Sequence, residues 1–420
     1  MKTLAILVSG GPAPGINAVI AAATIEARNH KMRVIGCYDG FRWLAQGGAK
    51  HVVELKIADV SRIHFEGGSI LRTSRTNPTR SPGGVRRVAE TLRHLKVNQL
   101  ITIGGDDTAF AASQIAKALS NLTVAHVPKT IDNDLPLPGS VVTFGYTTAC
   151  NLGKDLVHNL MQDAATTERW FFVTVMGRHA GHLALGIGGS AGATLTVIAE
   201  EFSKKKVSLE RIADILEGAI IKRRAQGRNQ GVALLSEGLA ERLDPETLGP
   251  VEWDAYGNVR LGELDLGRLL KERVTASLRA RGIEVTVVSK YLGYELRCAP
   301  PGAYDIQYCR SLGYWAARFL MEGGSDAMVT IQAERLVPIP FAEMIDPQSG
   351  KIRVRLVNVQ SEGYETLYEY MIRLKPEDFS DPKMVRRLAR AGQLSIPDLI
   401  ARFGSLVREV DANGEKQGTR

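Results

Sequence analysis

At 420 residues, 44% hydrophobic and 23% charged, the chain has the make-up of a folded globular protein of two to three domains at about 150 residues each, which excludes disorder, collagen and coiled coil as readings of the whole. The 53 Lys and Arg exceed the 45 Asp and Glu, leaving a net charge of +8, a surplus that suits an anionic ligand such as a phosphate ester or a nucleic acid. Aromatic residues are only 6% and no basic run is interleaved with them, so the longest cluster, Lys204, Lys205 and Lys206, reads as a solvated face and no nucleic-acid partner is expected.

Taken in chain order, the first residues, MKTLAILVSGGPAPG, superficially mimic a secretory signal. Their apolar run is short and ends in a Gly-Pro turn without a cleavage site, so it reads as a first buried strand. Strands are then expected over Leu4–Val8, Val34–Tyr38, Leu100–Ile103, Thr123–Val127, Phe171–Val175, Thr194–Ile198, Val232–Leu235, Val285–Ser289 and Met328–Ile331. Amphipathic helices are expected over Ile16–Asn29, Val85–Leu95, Ala109–Leu119 and Leu209–Lys222. Near-continuous apolar strands divided by helices imply an α/β protein with parallel sheets covered on both faces. Nine strands exceed one mononucleotide-binding half, so two Rossmann-like lobes are expected. LPLPGS, at 135–140, looks like a lobe crossing, 239–262 an insertion, 351–357 an exposed strand of alternating basic and apolar residues, and the tail from Asp411 frayed. Cys37, Cys150, Cys298 and Cys309 have no CxxC spacing, which suggests neither a zinc site nor a disulfide scaffold but a reducing compartment. With no run near the ~18 apolar residues that span a bilayer, a soluble, cytoplasmic protein without a membrane partner is expected.

In α/β sheets ligands gather beyond the carboxyl ends of strands, and four strands here end in unusual loops. Ser9-Gly10-Gly11-Pro12-Ala13-Pro14-Gly15 permits close backbone approach at a helix N-terminus, though tight turns use the same residues. It is neither a P-loop nor GxGxxG. Gly104-Gly105-Asp106-Asp107-Thr108 sets two adjacent carboxylates at a strand end. Helix capping accounts for one of them, and Mg²⁺ held by one Asp and substrate phosphates is the functional alternative. Pro128-Lys129-Thr130-Ile131-Asp132-Asn133-Asp134 packs a cation, a hydroxyl and two carboxylates into one loop, where an Asx-turn array is the structural alternative. Met176-Gly177-Arg178-His179-Ala180-Gly181-His182 offers Arg178 to a phosphate; its HxxH pair lacks a third metal ligand. Ser236-Glu237-Gly238 and Gly293-Tyr294-Glu295-Leu296-Arg297 add a candidate for sugar hydroxyls, Glu237, and one for a sugar phosphate, Arg297.

Together, in order and spacing, SGGPAPGINA, GGDDT, PKTIDND, TERWFFVTVMGRHAGHLAL, SEG and LGYELRCAPPGAYD resemble the phosphofructokinase family across nearly the whole chain. The resemblance implies that fold, with residues 1–138 (rejoined by 295–345) binding the phosphoryl donor and Mg²⁺, 139–294 binding fructose 6-phosphate, and 346–420 a C-terminal extension. It implies Asp132 as catalytic base, and Met176, Gly177, Arg178 and Glu237 around the fructose. Tyr294, Glu295, Leu296 and Arg297 lie on the sugar-phosphate side, with Arg169 supplied across a subunit boundary in a homodimer or larger homo-oligomer. Thr130, Ile131 and Asp134 support the base, Gly11 cradles the donor and Asp106 holds Mg²⁺.

ATP-using members carry Gly at the positions of Asp107 and Lys129. Asp107 would sit where the ATP α-phosphate needs room, and even about 3 kcal/mol of clash and repulsion is more than a hundredfold in binding. Lys129 supplies a compact cation for inorganic diphosphate, which brings no adenosine binding energy. Both features resemble the diphosphate-dependent branch. The rival readings are an ATP-dependent phosphofructokinase or other sugar-phosphate kinase, and an inert regulatory subunit, against which the presence of Asp106, Lys129, Asp132 and Arg178 argues.

Overall fold

Apolar runs that must bury both faces fold as parallel strands joined by crossover helices. The computed structural model describes residues 1–139, 141–202, 206–244 and 264–414, with 408–414 as backbone alone. The chain divides into two compact units, Met1–Leu152 with Tyr294–Arg355, and Gly153–Gly293 with Leu356–Arg420.

In the first unit β1 (Thr3–Val8), β2 (Arg33–Cys37), β3 (Val52–Glu54), β4 (Gln99–Gly104) and β5 (Thr123–Pro128) join the short strands Ala327–Met328 and Ile339–Pro340 in one seven-stranded sheet. Its order is Ile339–Pro340, Ala327–Met328, β5, β4, β1, β2, β3, antiparallel only at its two edges. Every residue of β1 and β4 is buried. The chain runs outward from β1 through β2 to β3, then returns to lay β4 on the other flank of β1. Strand order therefore reverses between β1 and β4, the place where an open sheet leaves a crevice for a ligand. The register pairs Val8 with Ile103 and Gly104 with Pro128, so the loops after β1, β4 and β5 leave the sheet at one level.

The second unit holds β6 (Trp170–Val175), β7 (Leu195–Val197), β8 (Gly231–Ser236) and β9 (Val287–Leu292) in an all-parallel sheet of order β7, β8, β6, β9. Val175 lies opposite both Ser236 and Leu292, which brings the loops after β6, β8 and β9 together. The segment from Leu356 onward belongs to this unit. Leu374, Leu388, Leu399 and Phe403 pack with Ile221 of the helix Leu209–Ala225, and the fully buried Glu217 is shared by Arg281 and Arg402. A buried carboxylate persists only when paired in this way.

Several expectations shift. The strand expected at Val285–Ser289 lies at Val287–Leu292. The one expected at Met328–Ile331 splits into Ala327–Met328 and a hairpin strand, Ile331–Gln332, because the Thr330 hydroxyl donates to the carbonyl of Val337 across that hairpin. No strand forms over 351–357 beyond an isolated bridge between Ile345 and Ile352; Val354 and Leu356 are exposed while Arg355 turns inward. The units divide between Leu152 and Gly153, within the helix Tyr146–Thr167, rather than at LPLPGS. Residues up to 152 stay with the first unit because the buried Asp305 carboxylate accepts the N–H groups of Gly145 and Thr148, each at 2.8 Å. Of the expected insertion, Leu239–Arg242 is a helical turn and 245–262 lies outside the described residues, as do Lys204 and Lys205. The tail is helical as far as Gly414, and 415–420 lies outside the described residues. No helix among those described is long and apolar enough to cross a membrane.

Candidate active site

The loop after β1 is held open from below by a strap, Thr73 and Ser74. The Ser74 carbonyl accepts the Gly10 N–H at 2.9 Å and the Ser9 hydroxyl at 3.1 Å, and the Thr73 hydroxyl donates to the Gly10 carbonyl at 2.7 Å. Gly10 has φ of 86°, a left-handed conformation that glycine adopts without strain. The absence of side chains also lets two cations lie on this backbone. A Cβ on Gly10 would be 3.3 Å from Lys129 Nζ, and one on Gly11 would be 3.3 Å from Arg297 Cζ. Helix α1 (Ile16–Asn29) then starts after Gly15.

Lys129, at the end of β5, is 3% exposed and donates from Nζ to the Gly11 carbonyl. Burial, with the Arg297 guanidinium close by, pulls its pKa down to about 8, and the carboxylates of Asp132, Asp134 and Asp106 act against that fall. An ammonium is tolerated here because three acidic side chains and a carbonyl share its field. Arg297 lies 5.3 Å from the Tyr294 ring centroid.

The loop after β4 enters helix α2 (Asp106–Ala118), whose cap is Gly105; neither Asp caps it. Both carboxylates stand in its first turn, where the positive end of the helix dipole favours them. Asp107 accepts bonds at 3.1 Å from Asn77 Nδ2 and, on both oxygens, from Arg80 Nη2. Asn77 is itself fixed, since its Oδ1 accepts from the N–H and hydroxyl of Thr79. Asp106 is exposed and takes no hydrogen bond from a described residue.

In the loop after β5 the Asp132 N–H donates to the Thr130 hydroxyl oxygen at 3.0 Å. The Thr143 hydroxyl donates to the Thr130 carbonyl at 2.6 Å, and the Thr143 N–H to Asn133 Oδ1 at 3.0 Å. Asp132 thus sits, half-buried, between two anchored residues. Ile131 is buried.

In the second unit Gly177 has φ of 131°, and its N–H donates to Glu237 Oε2 at 3.1 Å; the Glu237 N–H returns to the Val175 carbonyl at 2.9 Å. Met176, Gly177, Arg178 and Glu237 are therefore one assembly across the ends of β6 and β8. Arg178 is exposed, with Glu241 3.8 Å from its Nε. Arg169, just before β6, faces Asp163 at 3.6 Å.

The Phosphofructokinase family model matches residues 3–320. The chain belongs to the phosphofructokinase family. The pyrophosphate–fructose 6-phosphate 1-phosphotransferase of Thermotoga maritima is 50% identical over 391 residues, covering 91% of this chain and 93% of that protein. The enzyme of the same name from Naegleria fowleri is 47% identical over 421 residues, with 97% and 96% covered. The crystal structure of a pyrophosphate-dependent phosphofructokinase from Nitrosospira multiformis superposes with a TM-score of 0.68 over 88% of this chain and 90% of that one at 19% identity, a likeness of fold.

Within this family fold, the first unit brings together Gly11, Asp106, Lys129, Asp132, Asp134 and Arg297, and the second Met176, Gly177, Arg178 and Glu237. Leu296 is 0% exposed, so only its backbone can meet a ligand. Asn77 and Arg80 are absent from the sequence expectations; the polar run Thr73–Arg80, with two arginines and an Asn-Pro turn, was the signal available. Among the described residues no group of three or more His, Cys, Asp or Glu could hold a metal alone. Mg²⁺ would need only one or two protein carboxylates, its other ligands coming from water and phosphates. The exposed Asp106 carboxylate is such a donor.

Proposed function

We propose that this chain is a diphosphate-dependent 6-phosphofructokinase, which reversibly transfers a phosphoryl group from inorganic diphosphate to the 1-hydroxyl of fructose 6-phosphate, giving fructose 1,6-bisphosphate and phosphate in glycolysis. The observation that carries the reading is the pair formed by the buried Lys129 ammonium on the Gly10–Gly11 backbone and the Asp107 carboxylate tied by Arg80 and Asn77. A donor without a nucleoside must be bound by charge, which the buried Lys129 ammonium supplies. A tethered carboxylate in the first turn of α2 repels the inner phosphate of a longer donor. The names borne by the two relatives support the same donor.

In this mechanism Asp132 accepts the proton of the sugar 1-hydroxyl as that oxygen attacks. Thr130 fixes the base through its backbone N–H, and Asp134 shares the field of Lys129. Gly11 offers backbone to the donor, while Lys129 and Arg178 stabilise the charge of the phosphoryl group in flight. Met176, Gly177 and Glu237 hold the fructose; Tyr294, Glu295, Arg297 and the Leu296 backbone serve its phosphate. Asp106 would hold Mg²⁺, which when bound neutralises charge on the diphosphate oxygens. Positioning and electrostatics do the catalysis, as phosphoryl transfer requires little covalent help. We further infer a cytoplasmic homo-oligomer in which Arg169, whose Nε donates to no hydrogen-bond acceptor among the described residues, serves a neighbouring copy.

The test is a donor panel of diphosphate, ATP, ADP and polyphosphate with fructose 6-phosphate and Mg²⁺. Turnover is expected with diphosphate, and fructose 1,6-bisphosphate with phosphate should run the reaction backward. Robust turnover with ATP and none with diphosphate would refute the assignment.

Lys129 also sets a pH limit. Its pKa of about 8 means that the cation is present below that pH and lost above it. The value of kcat/KM for diphosphate, which reports the free enzyme, should therefore fall as pH rises through 8. Lys129→Met should lack that alkaline limb, its residual rate staying flat over the same range; an unchanged limb would assign it to another group.

A further inference from the structure

Beyond the stretch matched by the family model, one side chain reaches back into the loop that carries Asp132. Arg355 Nε donates to the Asn133 carbonyl at 3.1 Å, and Nη1 donates to the Val141 carbonyl at 2.7 Å and to those of Leu137 and Pro138 at 3.4 Å. Its Nη2 donates to Asn133 Oδ1, and its backbone N–H to the Asp134 carbonyl at 2.8 Å. Residues 133, 134, 137, 138 and 141 thus converge on one arginine.

The loop's composition explains the demand. Pro136 and Pro138 remove two N–H donors, leaving more carbonyls than the segment can satisfy internally. Asn133, 6% exposed and at φ of 57°, turns its carbonyl away from any helical or strand partner. A guanidinium offers five N–H donors in a rigid fork and keeps its charge when half-buried, where a lysine would present one ammonium. Thr143 pins the near side of the loop at Thr130, and Arg355 pins the far side at Asn133. Ile131 and Asp132 lie between the two pins.

We propose that Arg355 is a positioning residue for phosphoryl transfer, holding the carbonyls of the loop after Asp132 so that the carboxylate keeps the orientation proton abstraction needs. The inference rests on the reading of Asp132 as base. It concerns this chain's own C-terminal segment, 222 residues away from Asn133 in sequence.

The experiment compares the full chain with Arg355→Ala, Arg355→Lys, Arg353→Ala and Asp132→Ser. Arg353 donates to the Glu343 carbonyl and leaves the loop alone, so Arg353→Ala should keep wild-type kinetics. Arg355→Ala should lower kcat by roughly 100-fold, the scale of an ångström-sized misplacement of a reacting group. KM for both substrates should stay within about threefold, since a group acting in the transition state is lost from kcat. Millimolar methylguanidine should restore part of kcat, which a general loss of stability would not allow. Should Arg355→Ala fail to fold, Arg355→Lys decides: a folded Lys variant with reduced kcat and unchanged KM supports the inference, and one with wild-type kcat overturns it. It is equally overturned if folded Arg355→Ala turns over at the wild-type rate while Asp132→Ser is inactive. If Asp132→Ser itself stays active, the reading of the base is what fails.

Discussion

Asp132→Ser is expected to lower kcat by about 10²–10⁴-fold, the range that a positioned general base contributes, with the KM for fructose 6-phosphate little changed. The loop geometry makes this a clean substitution. Thr130 is anchored through its carbonyl by Thr143, and Asn133 through its side chain by Thr143 and Arg355, so the backbone should keep its course when the carboxylate is removed. The Asp132 N–H would still meet the Thr130 hydroxyl. What disappears is the proton acceptor, together with one of the negative charges around Lys129. The measurement is steady-state kinetics in both directions, because the same group must return the proton in the reverse reaction. A rate near wild type in either direction would move the base elsewhere.

The double substitution Asp107→Gly with Lys129→Gly is expected to exchange one donor for another. Removing Lys129 takes the buried cation off the Gly10–Gly11 backbone, and kcat/KM for diphosphate should fall by at least about 100-fold, the equivalent of losing roughly 3 kcal/mol of charge-assisted binding. Removing Asp107 frees Arg80 and Asn77, whose donors now face a gap at the N-terminus of α2. An anion can enter there, favoured by the helix dipole and by the released guanidinium. Measurable turnover with ATP should follow. The single variants should show each half alone, Lys129→Gly weak with every donor and Asp107→Gly relaxed toward ATP. If the double variant still rejects ATP, the volume that excludes it lies outside this pair.

The sheets were legible because their strands are short apolar runs that stop abruptly at glycine or polar residues, and α1 was legible to its last residue because its apolar face begins directly after Gly15. The positions of the loops to which we assign chemistry were legible for the same reason. Once strands β1, β4, β5, β6 and β8 are placed, their carboxyl ends place Gly11, Asp106, Lys129, Met176 and Glu237 without further information. The boundary between units was illegible, since helical periodicity runs unbroken from Tyr146 to Thr167 and gives no mark at Leu152. So was the fate of exposed-looking arginines. Nothing local distinguishes Arg355 from Arg353, or Arg80 from Arg86, because a guanidinium's partner is decided by whichever carbonyl or carboxylate the tertiary fold brings near. The alternation over 351–357 read as an exposed strand for that reason; the Arg355 N–H goes instead to the Asp134 carbonyl in a proline-rich loop, and those of Arg353 and Val357 go to the Met344 carbonyl and the Glu200 carboxylate.

Each unit is assembled from two separate stretches of chain, the first closing only at Arg355. On the ribosome, Asp132 emerges early but the arginine that seals its loop follows more than two hundred residues later. A nascent chain therefore carries Asp132 long before the guanidinium that gathers the carbonyls of its loop has been made. A chain stopped between Gly293 and Arg355 would lack part of both units, since each closes only once its second stretch is made.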